Sequence, residues 1–306
     1  MNKKIEEMMN LMIKTMEETK SLPWDDGFIE VIKRGVPRNY VTGKPYRGFN
    51  LAFLAVCGRS KSNLFLTFKQ AQAKKGHVNK GSHGLPVSFF SWYNKEKKRA
   101  AKEGDDESEL VPFWKTYMVF RLEDTSLPVP VLKEREKSDD WNADVPVIDE
   151  FATAYLEAVG LNYEVVDENS TAWFSKGQNT VHIAKKSLYH SATAWYGTLL
   201  HELVHSSMLG LNRKLSYDEE EIVAEFGSAL LCAYFGIHKK QELENEAVYL
   251  SSWSKKLRSN PEWLFHGAQR AQKAVDYLLE KAGLPSFSEK FADTDASQSE
   301  KIAVGK

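Results

Sequence analysis

Residues 191–209 place Trp195, Leu199 and Leu203 along one stripe of a helix and Tyr196, Leu200 and Val204 along the next. A helix that is apolar around so much of its girth belongs inside a molecule. This one also carries His201, Glu202 and His205, in the stretch HELVH. Histidines at i and i+4 stack on one helical face, and polar groups taken out of water need partners. Any fold of this chain must bury that helix and bring a partner to its histidine face.

A metal ion is one such partner. Two stacked imidazoles reach one zinc at about 2.0–2.1 Å, and Glu202 beside them can take the proton of a water that the ion activates. A site of this kind needs a third protein ligand and keeps its fourth position open. The run EEEIVAEFGSALL puts Glu221 and Glu225 at i and i+4, 16 and 20 residues after His205, with the loop GLNRKLSY between. A second helix can fold back and present both acids, which are costly to bury unpaired. The gap of 20 favours Glu225 as the third ligand, with Glu221 as alternate ligand or as outer-shell acceptor of a histidine N–H. Glu219 and Glu220 read as solvated acids at the positive end of the helix dipole. Tyr217 and Tyr249 read as packing tyrosines ahead of oxyanion donors, and Cys232 as a core residue.

The formal net charge of −1 conceals a segregation. Residues 31–102 hold 16 lysines and arginines against a single acid, Glu96, whereas residues 103–306 hold 21 basic and 34 acidic residues. Two parts with two electrostatic tasks follow. Aromatic residues interleave with the cations, as a single nucleic-acid strand requires of a protein: cations track phosphates and rings stack on bases. Trp24 and Tyr46 are candidate stacking residues; Arg38, Lys44, Arg47, Lys69, Lys74, Lys75 and Lys80, in or beside loops, are candidate phosphate contacts. No zinc-finger, helix-turn-helix or RNP signature supports sequence-specific duplex reading. The competing reading docks the basic block on the acidic half of the same chain.

Two cysteines are too few for a disulfide framework, no run of 18 apolar residues offers a membrane span, and the opening residues lack a secretory signal, so a cytoplasmic location is expected. The chain reads as α+β: a small α+β nucleic-acid-binding domain over 1–125, a linker with three prolines over 126–146, a mainly helical domain over 147–287 and a disordered tail over 288–306. Residues 3–20 space their methionines and isoleucines for an amphipathic helix. In the second half, helices are expected over 191–209, 217–235, 243–257 and 262–282, the second opened by a Ser216/Glu219 capping box and closed at Gly236.

The order of these parts resembles a known family. GVPRNYVTGKPYRGFN followed by LTFKQAQAKKGHVNKGSHGLPVSFF is similar to the single-stranded-DNA-binding domain of ArdC-type antirestriction proteins. LLHELVHSSMLGLNRK, EEIVAEFGSALLCAYFGI and AQRAQKAVDYLL resemble that family's zincin-like metallopeptidase domain. The resemblance implies that His201, His205 and a glutamate of EEIVAE bind a metal, zinc or another divalent ion such as manganese, with Glu202 catalytic. It implies single-stranded DNA as a partner, a restriction-enzyme subunit or other host protein as peptide substrate, and protection of incoming mobile-element DNA from restriction. The alternative is a DNA-coating protein whose metal is a structural staple.

Overall fold

The computed structural model describes residues 3–25, 35–95, 99–100, 110–130, 145–167, 172–237 and 246–292. Most of the expected linker (131–144), most of the expected tail (293–306), His238 and much of the charged stretch 94–110 lie outside the described residues. The architecture is mixed helix and sheet, with the sheets small.

α1 (Lys3–Thr19) is the amphipathic helix that its spacing predicts, with Ile5, Met8, Met9, Met12, Ile13 and Met16 turned inward. A five-stranded sheet follows in the order β1-β2-β5-β3-β4, built from β1 (Arg38–Asn39), β2 (Leu64–Thr67), β3 (Leu85–Asn94), β4 (Arg99–Ala100) and β5 (Leu110–Arg121). β3 and β5 form a long antiparallel ribbon in which Val87 lies opposite Tyr117 and Phe90 opposite Trp114. Val87 and Ser88 are both buried while Phe89 and Phe90 are both exposed, with Phe90 resting edge-on against Trp114 at 5.2 Å. The apolar run NLAFLAVC is helical, as α2 (Gly48–Cys57). TFKQAQAKKG makes α3 (Phe68–Ala73), opened by a Thr67–Gln70 capping box and closed at Gly76, whose N–H donates to the Ala71 carbonyl at 2.9 Å.

In the second half α4 (Pro146–Val159) opens on a proline and ends at Gly160, whose φ of +64° is the left-handed cap glycine supplies cheaply. A three-stranded sheet of β6 (Asn162–Val166), β7 (Ala172–Ser175) and β8 (Thr180–Ala184) has the order β6-β8-β7, which leaves β7 at an edge. Then come α5 (Ala192–Gly210), α6 (Tyr217–Phe235), α7 (Glu246–Ser259) and α8 (Glu262–Lys281), each within a few residues of its expected span. The tail differs from expectation at its start. α9 (Phe287–Ala292) is helical, with Ser286 and Glu289 bonded at its N-terminus and Phe287 and Phe291 buried. Two rings at i and i+4, each worth roughly 1.5–3 kcal/mol when buried, outweigh the polar composition around them.

One apolar cluster runs from Ile5 to Phe291 through both halves. Along β2, Phe65 joins it, while Leu64 and Leu66 face a smaller cluster with Ala71 and Leu122. α1 packs on α2 and also on α7 and α8. Polar contacts add to this join: Arg47 pairs with Asp276, and the Gly48 N–H donates to Gln272 Oε1 at 3.3 Å. Gly48 has φ +53°, and a Cβ there would stand 3.1 Å from Gln269 Oε1, so the close approach suits glycine alone. Among the described residues no helix is long and apolar enough to cross a membrane.

Candidate metal centre

The turn between α5 and α6 sets the geometry of the site. Leu211–Ser216 is short, and Arg213 ties it down by donating to the Val204 carbonyl at 3.1 Å, Ser207 Oγ at 2.8 Å and the Glu220 carboxylate. Ser216 and Glu219 complete the expected capping box, and α6 ends at Gly236 with φ +75°. Farther along, a Cβ on Gly227 would stand 2.7 Å from Val204 Cγ1, so glycine lets α6 lie close against the histidine helix.

Because α6 begins so near His205, its first turns lie level with the histidines. His201 Nε2 and His205 Nε2 are 3.1 Å apart; Glu221 Oε2 is 3.6 Å from the first and Glu221 Oε1 3.4 Å from the second. Ligand atoms held about 2.0–2.1 Å from zinc at tetrahedral angles stand about 3.3 Å from one another. The separation of the two Nε2 atoms and the approach of one carboxylate oxygen to each lie near that length, and two imidazoles with one carboxylate are donors that suit a divalent ion. Glu225, favoured by its spacing in the sequence, lies elsewhere. Its Oε2 is 4.0 Å from His201 Nδ1, the far nitrogen of the ring, and its Oε1 accepts from the Tyr249 hydroxyl at 3.0 Å. One helical turn separates the two acids, and the short loop decides which turn meets the Nε2 atoms.

Glu220 is a site residue that the sequence reading placed in solvent. It is buried, and its Oε1 lies 3.7 Å from His205 Nδ1. The available signal was Arg213, a lone arginine in the turn between two buried helices. Electrostatics follow from this crowding. Burial alone would raise the Glu221 carboxyl, but His201 and His205 outweigh it and hold the group below the usual carboxylate range. Burial would lower His205, yet Glu220 and Glu221 push it up to about 9. Glu202 is raised, chiefly by burial, against the pull of both histidines, and the Phe174 backbone N–H donates to it from β7. Glu202, His201, His205 and Glu221 line one cleft of about 610 Å³, with Trp173, Lys176, Met208, Lys214 and Tyr217 on its walls. Of the two tyrosines, Tyr217 is therefore in the cleft and exposed, while Tyr249 serves Glu225.

The candidate nucleic-acid residues divide. Trp24 is 4 % exposed and packs edge-on against Phe226 at 5.1 Å and Trp253 at 5.4 Å, so it is core and has no face for a base. Tyr46 is buried against Phe65, Arg38 is buried in β1, and Arg47 is engaged by Asp276. Lys44, Lys69, Lys74, Lys75 and Lys80 are exposed. Among the described residues of the N-terminal half, the exposed aromatic residues are Phe68 on α3 and Phe89, Phe90 and Tyr117 on the ribbon, with Phe89 edge-on to Tyr117 at 5.8 Å and Lys115 Nζ 5.0 Å from the Tyr117 centroid. The doubled Phe89-Phe90 was legible as a signal: neighbours on a strand point to opposite faces, and one core cannot cover both.

Comparison with known proteins agrees with both halves. The family described as the N-terminal domain of anti-restriction factor ArdC matches residues 2–120, and the one described as zincin-like metallopeptidase matches residues 150–270. DNA primase TraC of Escherichia coli is 28% identical over 280 residues, which are 84% of this chain but 25% of TraC, so the chain spans about a quarter of that relative. An uncharacterized protein, y4eC, of Sinorhizobium fredii is 28% identical over 262 residues, covering 79% of this chain and 80% of y4eC. Among solved structures, the Mn(II)-bound crystal structure of antirestriction protein ArdC from plasmid R388 superposes with a TM-score of 0.70 at 27% identity, covering 90% of this chain and 97% of that one. Its metal-free form gives a TM-score of 0.68 at 25% identity with the same coverage. With an ArdC N-terminal domain and a zincin-like domain in the same order and a matching fold across nearly the whole length, this chain belongs to the ArdC family of antirestriction proteins.

Proposed function

We propose that the chain is a metal-dependent peptidase that also binds single-stranded DNA, and that His201, His205 and Glu221 hold the metal, zinc or manganese. The observation that carries this is the triangle of two Nε2 atoms and one carboxylate, opening on a cleft that also contains a buried glutamate. A divalent ion held there supplies Lewis acidity to a carbonyl and lowers the pKa of water. Glu202, in the same cleft, would hold a proton taken from water and return it to the leaving amine. Burial in the cleft wall and the Phe174 N–H orient it. An extended peptide would lie along the edge strand β7, whose Ala172, Trp173 and Phe174 line the same cleft. A purely structural metal would call for a closed set of four protein ligands; here three side chains converge among the described residues, and all three line an open cleft.

Metal analysis of the purified protein is expected to find about one divalent ion per chain, and His205→Ala to lose it. Glu221→Ala is expected to weaken binding more than Glu225→Ala, since outer-shell partners of a ligand histidine cost about 10–100-fold when removed. Loss of metal in Glu225→Ala with retention in Glu221→Ala would reverse the two roles.

For the N-terminal half, exposed lysines beside the exposed rings of Phe68, Phe89, Phe90 and Tyr117 support a strand-binding surface, and relatives bear names (DNA primase, antirestriction protein) that speak of DNA. Fluorescence anisotropy is expected to show the full chain binding single strands more tightly than duplex, with affinity falling steeply as salt rises. Phe89→Ala is expected to weaken binding by about 1–3 kcal/mol, the range for one stacked base. Equal affinity for duplex, or a flat salt response, would refute this surface.

A further inference from the structure

We infer that Arg213 and Glu220 are positioning residues for His205, a buried pair that sets how tightly the site holds its metal; the inference rests on the metal-site reading above. The Arg213 side chain is 8% exposed and that of Glu220 9%, so this is an internal ion pair and not a surface one. The guanidinium's hydrogen bonds are local: Nε and Nη2 donate to the Glu220 carboxylate, Nη1 to Ser207 Oγ and Nη2 to the Val204 carbonyl. Buried ion pairs of this type often give no net stability over apolar residues of the same volume, because desolvation offsets attraction. Holding a turn together therefore does not by itself account for an arginine and a glutamate between two apolar helices.

Glu220 has a second neighbour that does account for it, since its Oε1 lies 3.7 Å from His205 Nδ1. A histidine that offers Nε2 to a metal carries its proton on Nδ1, and an acceptor for that proton orients the ring and makes it a better donor. Arg213 holds the Glu220 carboxylate in place beside the ring. His201 has a counterpart: its Nδ1 faces Glu225 at 4.0 Å, and Glu225 accepts from the Tyr249 hydroxyl.

The test is titration of the full chain with Mn²⁺ alone, following free Mn²⁺ by electron paramagnetic resonance, and with Co²⁺, following its visible absorption. Glu220→Gln is expected to bind Mn²⁺ about 10–100-fold more weakly than the unaltered protein and to change the shape of the Co²⁺ bands. The double variant Arg213→Met/Glu220→Leu removes both charges, leaves no orphaned ion to unfold the protein, and is expected to lose affinity to the same degree. A merely structural pair would lower the melting temperature of these variants without changing the affinity of the folded protein. Unaltered Mn²⁺ affinity in both folded variants, with binding lost in His205→Ala, overturns the inference. Unaltered affinity in His205→Ala as well overturns the metal-site reading beneath it.

Discussion

Glutamine at position 202 is expected to leave the protein folded and metal-loaded while lowering peptide hydrolysis by about 100- to 10,000-fold, the usual contribution of a general base. Glu202 is 7 % exposed, and burial already raises its pKa, so the fold resists its charge. Glu202→Gln keeps size and shape and removes that charge; the melting temperature should hold or rise. His201, His205 and Glu221 are untouched, so metal content should match the unaltered protein. Metal analysis beside a peptide-cleavage assay reads both quantities, and loss of metal along with activity would mean that Glu202 is a ligand. The same variant separates two routes to antirestriction. Protection by coating the incoming strand needs only the N-terminal surface, so Glu202→Gln should still protect DNA in a transfer assay. Complete loss of protection in a metal-loaded, DNA-binding variant would assign protection to proteolysis.

Trp24→Ala is expected to destabilise the protein by about 3–5 kcal/mol, the range for deleting a large buried aromatic side chain. With total stabilities of about 5–15 kcal/mol, that would leave the chain close to unfolding. The ring sits between Phe226 of α6 and Trp253 of α7, so its removal opens a cavity one residue from Glu225. Urea denaturation at equilibrium measures the effect. Phe68→Ala is the companion, because Phe68 is 49 % exposed and its loss should alter strand affinity and not stability. If Trp24→Ala melted normally and bound DNA weakly, the tryptophan would be a nucleic-acid contact after all.

The same contrast explains what the sequence could and could not convey. Helix spans were legible because period and caps are local: Ser216 with Glu219, Gly160 and Gly236 mark their ends without reference to the rest of the chain. The histidine pair was legible for the same reason. Which glutamate faces it was not, because Glu221 and Glu225 differ by one turn, and that turn is chosen by how a six-residue loop seats α6 on α5. Trp24, Tyr46 and Arg47 belong to a basic, aromatic stretch whose composition suits a strand of DNA. Composition is silent on tertiary partners, and here the partners are Phe226, Phe65 and Asp276. The exposed rings of this half sit on α3 (Phe68) and on the ribbon (Phe89, Phe90 and Tyr117), and their exposure too is set by tertiary packing.

The apolar cluster that runs through both halves also bears on the order in which the protein can be made. α1 emerges from the ribosome well before α8, one of the helices it packs against. At about 5–20 residues per second, the interval between residues 19 and 262 is roughly 12–50 seconds. For most of that interval the methionine face of α1 lacks the cover of α7 and α8. Chains halted or clipped before residue 262 would keep part of that face open, which makes them natural clients for chaperones and proteases. Synthesis of α8, rather than of the N-terminal half alone, is then the step that closes the core around α1.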